Sequence, residues 1–299
     1  MMWKKKVVSF VKLGKPFSGT LIAAGIVAFA CFTSSILDIP IRFRFLLLIT
    51  AATIFCGKFI CIHNDIMDYE CDCKDENKAN KPLVSGILTI RDAWHYAILT
   101  LFLSIFLAAF VSTVFLIVIV VLLFNGFFYN TQGKPRGHIF GNMQVSLATA
   151  SVIIIGAMVI TEGELTHVVI PLIPCFILSF AYETFREIAN ATMDIKGDLA
   201  VGYKTLPVVV GEWKAMMIGW GFLVFGLVFL LSTLGYGWGA LYNTGVVITS
   251  MLAIVGVFMH VMHLLPILPR RGRFEVRYRH YLRLTILVFL VFVLLEGLF

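Results

Sequence analysis

The chain alternates long apolar stretches with short polar connections along the whole of its 299 residues. About 20 consecutive apolar residues allow a helix to cross the hydrocarbon core of a bilayer. We therefore predict nine transmembrane helices, near residues 17–37, 43–62, 92–111, 113–130, 141–161, 165–185, 213–233, 239–265 and 281–298. The pattern predicts an all-α, polytopic membrane protein.

The composition supports the same class of protein. Hydrophobic residues make up 60% of the chain and charged residues only 14%, which leaves too little polar surface to cover a water-soluble globule. The first apolar stretch follows five lysines and is too long for a cleavable signal peptide, so we expect it to remain as an anchor.

The basic residues predict the orientation of the helices. If the nine helices alternate in direction, 21 of the 24 Lys and Arg residues fall on the side of the N terminus. The positive-inside rule places that side in the cytoplasm, so we expect a multi-pass protein of the cell membrane with a cytoplasmic N terminus. The net charge of +7 then reflects topology and lipid headgroups, and we expect membrane lipid rather than nucleic acid as its partner.

Two long polar loops, at residues 63–91 and 185–212, each follow an apolar stretch and begin with acidic residues. Each loop then continues into a segment that contains Lys and Pro. This similarity predicts a single domain over residues 1–299 that consists of two related halves, about 1–140 and 141–299.

Each loop carries a stripe of acidic and amide side chains at helical spacing. On a continuing helix, residues three, four or seven positions apart share one face. The first stripe comprises Asn64, Asp65, Asp68 and Asp72, and the second comprises Glu187, Asn190, Asp194 and Asp198.

Carboxylates that are crowded and poorly solvated repel one another, so such stripes favour divalent cations between them. Hard oxygen ligands suit Mg²⁺, which often bridges protein carboxylates and substrate phosphates. Single acidic residues in loops are usually only solvated, but two matching stripes on one membrane face favour a site for a diphosphate held by Mg²⁺. The predicted metal ligands are Asn64, Asp65, Asp68, Asp72, Glu187, Asp194 and Asp198.

The run Asn64-Asp65-x-x-Asp68-x-x-x-Asp72, with Asp194-x-x-x-Asp198 downstream, resembles the paired motifs of the UbiA family of intramembrane prenyltransferases. The resemblance continues through Lys15-Pro16-Phe17-Ser18, Tyr129 to Lys134, Gly141-Asn142 and Lys204-Thr205-Leu206-Pro207. It implies a ring of nine helices around a central chamber, closed by a cytoplasmic cap that the acidic loops form. The family often has Arg and Asn where this chain has Lys15 and Ser18, and another Asp at Ala191.

The resemblance also implies an activity, which is the Mg²⁺-dependent transfer of a prenyl group from an allylic prenyl diphosphate to a lipophilic acceptor. Archaeal lipid-forming members share the Asn-Asp-Ile-x-Asp-Tyr-Glu-x-Asp run, so geranylgeranyl transfer to geranylgeranylglyceryl phosphate is the first expectation. An aromatic acceptor of the quinone, haem or chlorophyll type is the alternative. A cation or metabolite transporter is the alternative of a different class, although transporters usually place their coupling acids near the middle of the membrane.

Within this mechanism, the acids and Mg²⁺ would neutralise the leaving diphosphate, while Tyr129 would shield the carbocation. The residues expected to act in catalysis are Asp68, Asp72, Asp194, Asp198 and Tyr129. The residues expected to bind substrates are Asn64, Lys58, Lys134, Lys204, Lys15, Ser18 and Arg186. Lys58 is notable because it lies within an apolar stretch, seven residues before Asp65. A charge inside the membrane usually has a function, which here would be to bind phosphate. Alternatively, the side chain of Lys58 snorkels to the membrane surface.

Overall fold

The structure is a computed structural model. It describes residues 2–74, 78–136, 138–165, 172–232, 243–245, 247–248, 251–252, 254–255 and 273–298. These residues are predominantly helical and include no β-strand, so the all-α prediction is confirmed for them. The predicted span at residues 239–265 lies largely outside the described residues.

The helices are numbered in chain order. They are α1 (Met2–Leu13), α2 (Pro16–Leu37), α3 (Phe43–Met67), α4 (Tyr69–Asp72), α5 (Ile90–Ala109), α6 (Thr113–Phe128), a π-helix (Tyr129–Gly133), α7 (Lys134–Arg136), α8 (His138–Ile160), α9 (Ile173–Met193), α10 (Ile195–Ala200), α11 (Leu206–Val210), α12 (Glu212–Leu231) and α13 (Arg273–Leu298).

Six described helical segments are long and apolar enough to cross a membrane. They are Ser18–Leu37, Phe43–Met67, Ile90–Ala109, Thr113–Gly133, His138–Ile160 and Glu212–Phe229. Each of them coincides, within a few residues, with a predicted span. Helix α9 begins within the predicted span at 165–185 and continues beyond it to Met193, and it is not among the six. The apolar part of α13, Leu287–Leu298, is shorter than the six segments. The protein is therefore a multi-pass membrane protein.

Side-chain caps mark the starts of α5 and α6, and the second of them lies at the break between these two helices. Thr89 and Asp92 form a capping box at the start of α5, in which each side chain accepts a hydrogen bond of 3.0 Å from the other's backbone N–H. At the start of α6, Ser112 Oγ accepts a hydrogen bond of 3.0 Å from the backbone N–H of Phe115. Such caps satisfy backbone groups that helix ends leave without partners.

Two hydrophobic cores organise the bundle. One combines residues of α2 and α8 with α9, α11, α12 and α13, and its largest buried side chains include Phe29, Phe32 and Phe185. The other combines α2 and α8 with α3, α5 and α6, around Ile49 and Phe115. Because α2 and α8 contribute to both cores, these two helices connect the two parts of the bundle.

Glycine allows α8 to approach α2 closely. A Cβ atom added at Gly156 would lie 2.6 Å from Cβ of Phe29 and 3.0 Å from the backbone oxygen of Ile26. In membranes, small residues permit such backbone contact, which supplies much of the packing energy between helices. The pair α2–α8 therefore depends on the absence of a side chain at Gly156.

We predict that Gly156→Ala destabilises the protein. The methyl group must displace α2 or α8, which costs about 1–3 kcal/mol in a packed interface. The purified variant in detergent should melt several degrees below the wild type. Gly221→Ala is the matched control, because a Cβ at Gly221 meets no atom within 4 Å. Equal melting temperatures for Gly156→Ala and the wild type would contradict the close packing.

Candidate active site

The first acidic cluster lies where α3 ends. Asp65 belongs to the last turn of α3, and the short helix α4 then continues to Asp72. The backbone keeps a near-helical course across the junction, because Asp68 N–H bonds to Asn64 O and Asp72 N–H bonds to Asp68 O. The predicted common face is thus preserved, and the three aspartates are buried, with 1–6% of their surface exposed.

Four lysines neutralise these aspartates. The ammonium of Lys81 lies between two of them, 3.1 Å from Asp65 and 2.6 Å from Asp72. Three further pairs are Lys78–Asp72 at 3.1 Å, Lys134–Asp68 at 2.5 Å and Lys15–Asp65 at 3.7 Å. The cluster consequently consists of alternating carboxylates and ammonium groups.

The charge state of Lys81 reflects this setting. Burial lowers the pKa of the Lys81 ammonium, but the carboxylates of Asp65 and Asp72 more than offset that effect. The net result is a pKa above the ordinary value of lysine. Lys81 is therefore a permanent cation between the two aspartates.

The second acidic cluster lies at the junction of α9 and α10. Asp198 is buried, and its carboxylate accepts a hydrogen bond of 2.9 Å from the hydroxyl of Thr205. Burial raises the pKa of Asp198 above its ordinary value, and the Thr205 hydrogen bond and the charge of Lys134 counter this only in part. In the same cluster, Asn190 Oδ1 is buried and accepts no hydrogen bond from the part of the chain that the structure describes.

The two clusters meet around Lys134 and Tyr203. Lys134 forms its ion pair with Asp68 while its Nζ lies 5.7 Å from the centre of the Tyr203 ring. Asp198 is within electrostatic range of both Lys134 and Asp68. The structure thus brings the acids of both polar loops to one end of the helical bundle, as the two stripes predicted.

A π-helix positions the residues that follow α6. Such a segment adds a residue to the helical turn and often occurs at functional sites. It places Tyr129 within electrostatic range of Asp68, Asp198 and Glu187. It also buries Asn130.

Asn130 holds the first cluster through a set of hydrogen bonds. Its Nδ2 donates to the backbone oxygen of Ile60 and lies 3.0 Å from His63 Nδ1, while its Oδ1 accepts a hydrogen bond of 3.3 Å from Asn64 Nδ2. Because the side-chain nitrogen of Asn64 donates this hydrogen bond, the side-chain oxygen Oδ1 of Asn64 remains available as a metal ligand.

The donor chemistry fits Mg²⁺. The clusters present carboxylate and amide oxygens, and the buried Asn190 Oδ1 has no donor among the described residues. No three His, Cys, Asp or Glu side chains converge on one point within the described ranges, because lysines stand between the carboxylates of the first cluster. A bound cation would therefore exchange places with lysine ammonium groups.

Four of the predicted substrate-binding residues make contacts other than those expected at the clusters, and their roles in substrate binding stay predictions. Lys58 packs its stem beside Gly14, with its Nζ 5.9 Å from the centre of the Phe55 ring, and it forms no ion pair with a described acid. Arg186 is already paired with Glu183 at 2.5 Å and with Glu187 at 2.7 Å, so it is not a free cation for an acceptor phosphate. The side chain of Lys204 is exposed, and the backbone N–H of Ser18 donates a hydrogen bond to the backbone oxygen of Lys15.

Sequence reasoning missed other residues of the site: Lys78, Lys81, Asn130, Tyr203 and Thr205. Lys81 belongs to the Lys-Pro segment of the first loop, and Thr205 belongs to the Lys-Thr-Leu-Pro segment of the second. The similarity of these two segments was the sequence feature that could have indicated both residues. Glu183 was also missed, although it precedes Arg186 by three residues, a spacing that favours a pair on one helix.

Comparison with known proteins places the chain in a family. A sequence model of the UbiA prenyltransferase family matches residues 19–273. The digeranylgeranylglyceryl phosphate synthase of Pyrococcus furiosus is 34% identical over 178 residues, which span 59% of this chain and 61% of that protein.

Solved structures share the fold. A digeranylgeranylglyceryl phosphate synthase superposes with a TM-score of 0.72 at 20% identity, covering 98% of both chains. A UbiA homolog from Archaeoglobus fulgidus, bound to GPP and Mg²⁺, superposes with a TM-score of 0.64 at 17% identity, covering 95% of this chain and 99% of that one. Since the family match covers most of the chain, the protein is an enzyme that belongs to the UbiA prenyltransferase family.

Proposed function

We propose that this protein transfers a geranylgeranyl group from geranylgeranyl diphosphate to geranylgeranylglyceryl phosphate, with Mg²⁺ as cofactor. The observation that carries the proposal is the meeting of two acidic clusters around Lys134 and Tyr203 at one end of an apolar bundle. The choice of acceptor rests on the name of the Pyrococcus furiosus relative and on the run of residues from Asn64 to Asp72.

The clusters supply the ligands for the cation and the diphosphate. In this proposal the metal ligands are Asn64, Asp65, Asp68, Asp72, Glu187, Asp194 and Asp198, with Asn190 as an additional oxygen donor. Bound Mg²⁺ would neutralise the negative charge of the diphosphate. The lysines that pair with the aspartates, above all Lys81 and Lys134, can donate to phosphate oxygens once a cation takes over the carboxylates.

The reaction breaks the bond between C1 of the prenyl chain and the diphosphate oxygen, which keeps the electron pair. The hydroxyl oxygen of the acceptor forms a new bond to C1, and the hydroxyl proton passes to the released diphosphate. Tyr129 lies close to both clusters, so its ring can face the positive charge that develops on C1. The aromatic ring of Tyr203 lies beside Lys134 and is a second candidate for this role.

We further propose the topology that this activity requires. Nine spans would surround a central chamber, the acidic loops would form a cytoplasmic cap, and the protein would reside in the cell membrane with its N terminus in the cytoplasm. The basic residues on the side of the acidic loops support this orientation. The two hydrophobic cores, which share α2 and α8, support a single domain of two halves, about 1–140 and 141–299.

Product analysis tests the function. Purified protein should convert geranylgeranyl diphosphate and geranylgeranylglyceryl phosphate into the doubly prenylated lipid, and chelation of Mg²⁺ should abolish the conversion. Asp68→Asn and Asp198→Asn should each lower turnover by at least about 100-fold, because stabilisation of the leaving group is lost. Glu70→Gln is the matched control, since Glu70 belongs to the same acidic run but is exposed.

The acceptor panel of this assay decides between the alternatives. It should include phenolic acceptors beside the glycerol lipid. Prenylation of a phenolic compound alone would show that the acceptor proposal is wrong while the enzyme class is right. Normal turnover of Asp68→Asn at saturating Mg²⁺ would remove Asp68 from the metal site.

We predict that Lys81→Met makes the fold dependent on Mg²⁺. Without the ammonium, the carboxylates of Asp65 and Asp72 lose the cation that lies between them and keep only Lys15 and Lys78 as partners. This loss should cost about 1–3 kcal/mol in a buried setting. In EDTA the variant should melt several degrees below the wild type, and added Mg²⁺ should raise its melting temperature more than that of the wild type.

Lys74→Met serves as the control for this experiment, because Lys74 lies in the same loop with an exposed side chain. It should match the wild type with and without Mg²⁺. A Lys81→Met variant that melts like the wild type in EDTA, or that gains nothing more from Mg²⁺, would contradict the exchange of ammonium for cation.

A further inference from the structure

A groove outside the acidic clusters borders the π-helix. It has a volume of about 560 Å³ and lies between the segment 128–136, the first turns of α8 and one residue of α9. Most of its lining is apolar and includes Phe128, Phe140 and Phe180. Phe140 and Phe128 are exposed to 69% and 44%, so this surface is open to an apolar ligand from outside the bundle.

One end of the groove is polar. Arg136 lines it with an exposed side chain, and Arg136 forms no ion pair with any acid that the structure describes. This differs from the lysines of the first cluster, each of which has a carboxylate partner. Gln132 adds a second polar side chain to the same lining. A guanidinium without a partner beside an aromatic wall suits an amphiphile with an anionic head, since its planar fork matches the oxygens of phosphate.

The groove also offers a hydrogen-bond acceptor next to the reaction site. Gln144 lines it, and Gln144 Oε1 is buried without a hydrogen-bond donor among the described residues. A buried acceptor of this kind is costly unless a ligand satisfies it. Gln144 and Tyr129 both lie beside Gly133, because a Cβ added at Gly133 would collide with Gln144 Oε1 and lie 3.4 Å from Tyr129 Cδ2.

We propose that this groove is the binding site of the acceptor, a lipid that carries a phosphate and a free hydroxyl on one glycerol unit. Arg136 binds the phosphate, the hydroxyl donates to Gln144 Oε1, and the phenylalanines contact the hydrocarbon chain. The three carbons of glycerol keep the phosphate and the hydroxyl close together, so one ligand can satisfy both side chains. This inference rests on the proposed function, because it assigns the acceptor phosphate of that reaction to Arg136 in place of Arg186.

Steady-state kinetics with two acceptors test the role of Arg136. Arg136→Gln should raise the KM for geranylgeranylglyceryl phosphate by about 10- to 100-fold, as expected for the loss of a charge-assisted contact. The KM for geranylgeranyl diphosphate should change less than about 2-fold. With geranylgeranylglycerol, which lacks the phosphate, the variant and the wild type should have the same kinetics.

Gln144→Leu removes the hydrogen-bond acceptor and should impair both acceptors alike, since both carry the hydroxyl. Arg91→Gln is the matched control, because it removes one exposed positive charge from the start of α5, and it should leave both KM values unchanged. Equal effects of Arg136→Gln on the two acceptors, or unchanged KM values, would overturn the proposal.

A binding measurement separates this inference from the proposed function. Native mass spectrometry of the purified protein should detect geranylgeranylglyceryl phosphate on the wild type, with weaker binding to Arg136→Gln. If the wild type binds this lipid through Arg136 but forms no product from it, the proposed function fails and the site stands. If Arg136→Gln instead loses only bulk phospholipid, the groove is an ordinary lipid contact and the inference is wrong.

Discussion

Carboxylates that are crowded at the edge of a membrane protein remain ionised only if cations share the space. Here the constraint is met by Lys15, Lys78, Lys81 and Lys134, which come from three different segments of the chain and converge on three buried aspartates. Repulsion between those aspartates would otherwise oppose folding of the loop after α3. The segments around the site are arranged so that these four lysines contact the three aspartates.

Several local features serve this convergence. The π-helix ends immediately before Lys134 and lets that lysine return toward Asp68. Close packing of α8 on the π-helix allows this path, because a Cβ at Gly141 would lie 2.6 Å from the backbone oxygen of Gly133. Asn130 accepts a hydrogen bond from the side chain of Asn64 and so helps to orient it. The site is thus held by backbone geometry as well as by charge.

The sequence predicted the elements that depend on local periodicity. The third span was expected at 92–111 and lies at Ile90–Ala109, and the stripe from Asn64 to Asp72 keeps its common face. Contacts that depend on loop folding were not predictable from periodicity. Lys81 is sixteen residues from Asp65 and nine from Asp72, and only the folded loop brings its ammonium between them.

The orientation of single side chains in irregular segments was also not predictable from the sequence. Lys204 was the obvious choice by chemistry, but its neighbours Tyr203 and Thr205 face the clusters while Lys204 is exposed. Outside helices, a shift of one position along the chain can turn a side chain from the site to the solvent. The type of residue does not indicate which of the two orientations it takes. For Arg186, the sequence interpretation considered the cation by itself, whereas the structure pairs it with Glu183 on the same helix. Its role in substrate binding stays a prediction.

The different cations suit the different tasks at the two sites. At the clusters, the charges belong to lysines, whose flexible stems can exchange a carboxylate for a phosphate oxygen with little rearrangement. The lysines also offset the acids of the second cluster, because Lys134 lies within electrostatic range of Asp198 and Lys78 within range of Asp194. At the groove, the charge belongs to Arg136, whose rigid guanidinium would define the position of one phosphate in the proposed acceptor site. In that proposal, flexible lysines would follow the leaving diphosphate, while the arginine would keep the acceptor hydroxyl oriented.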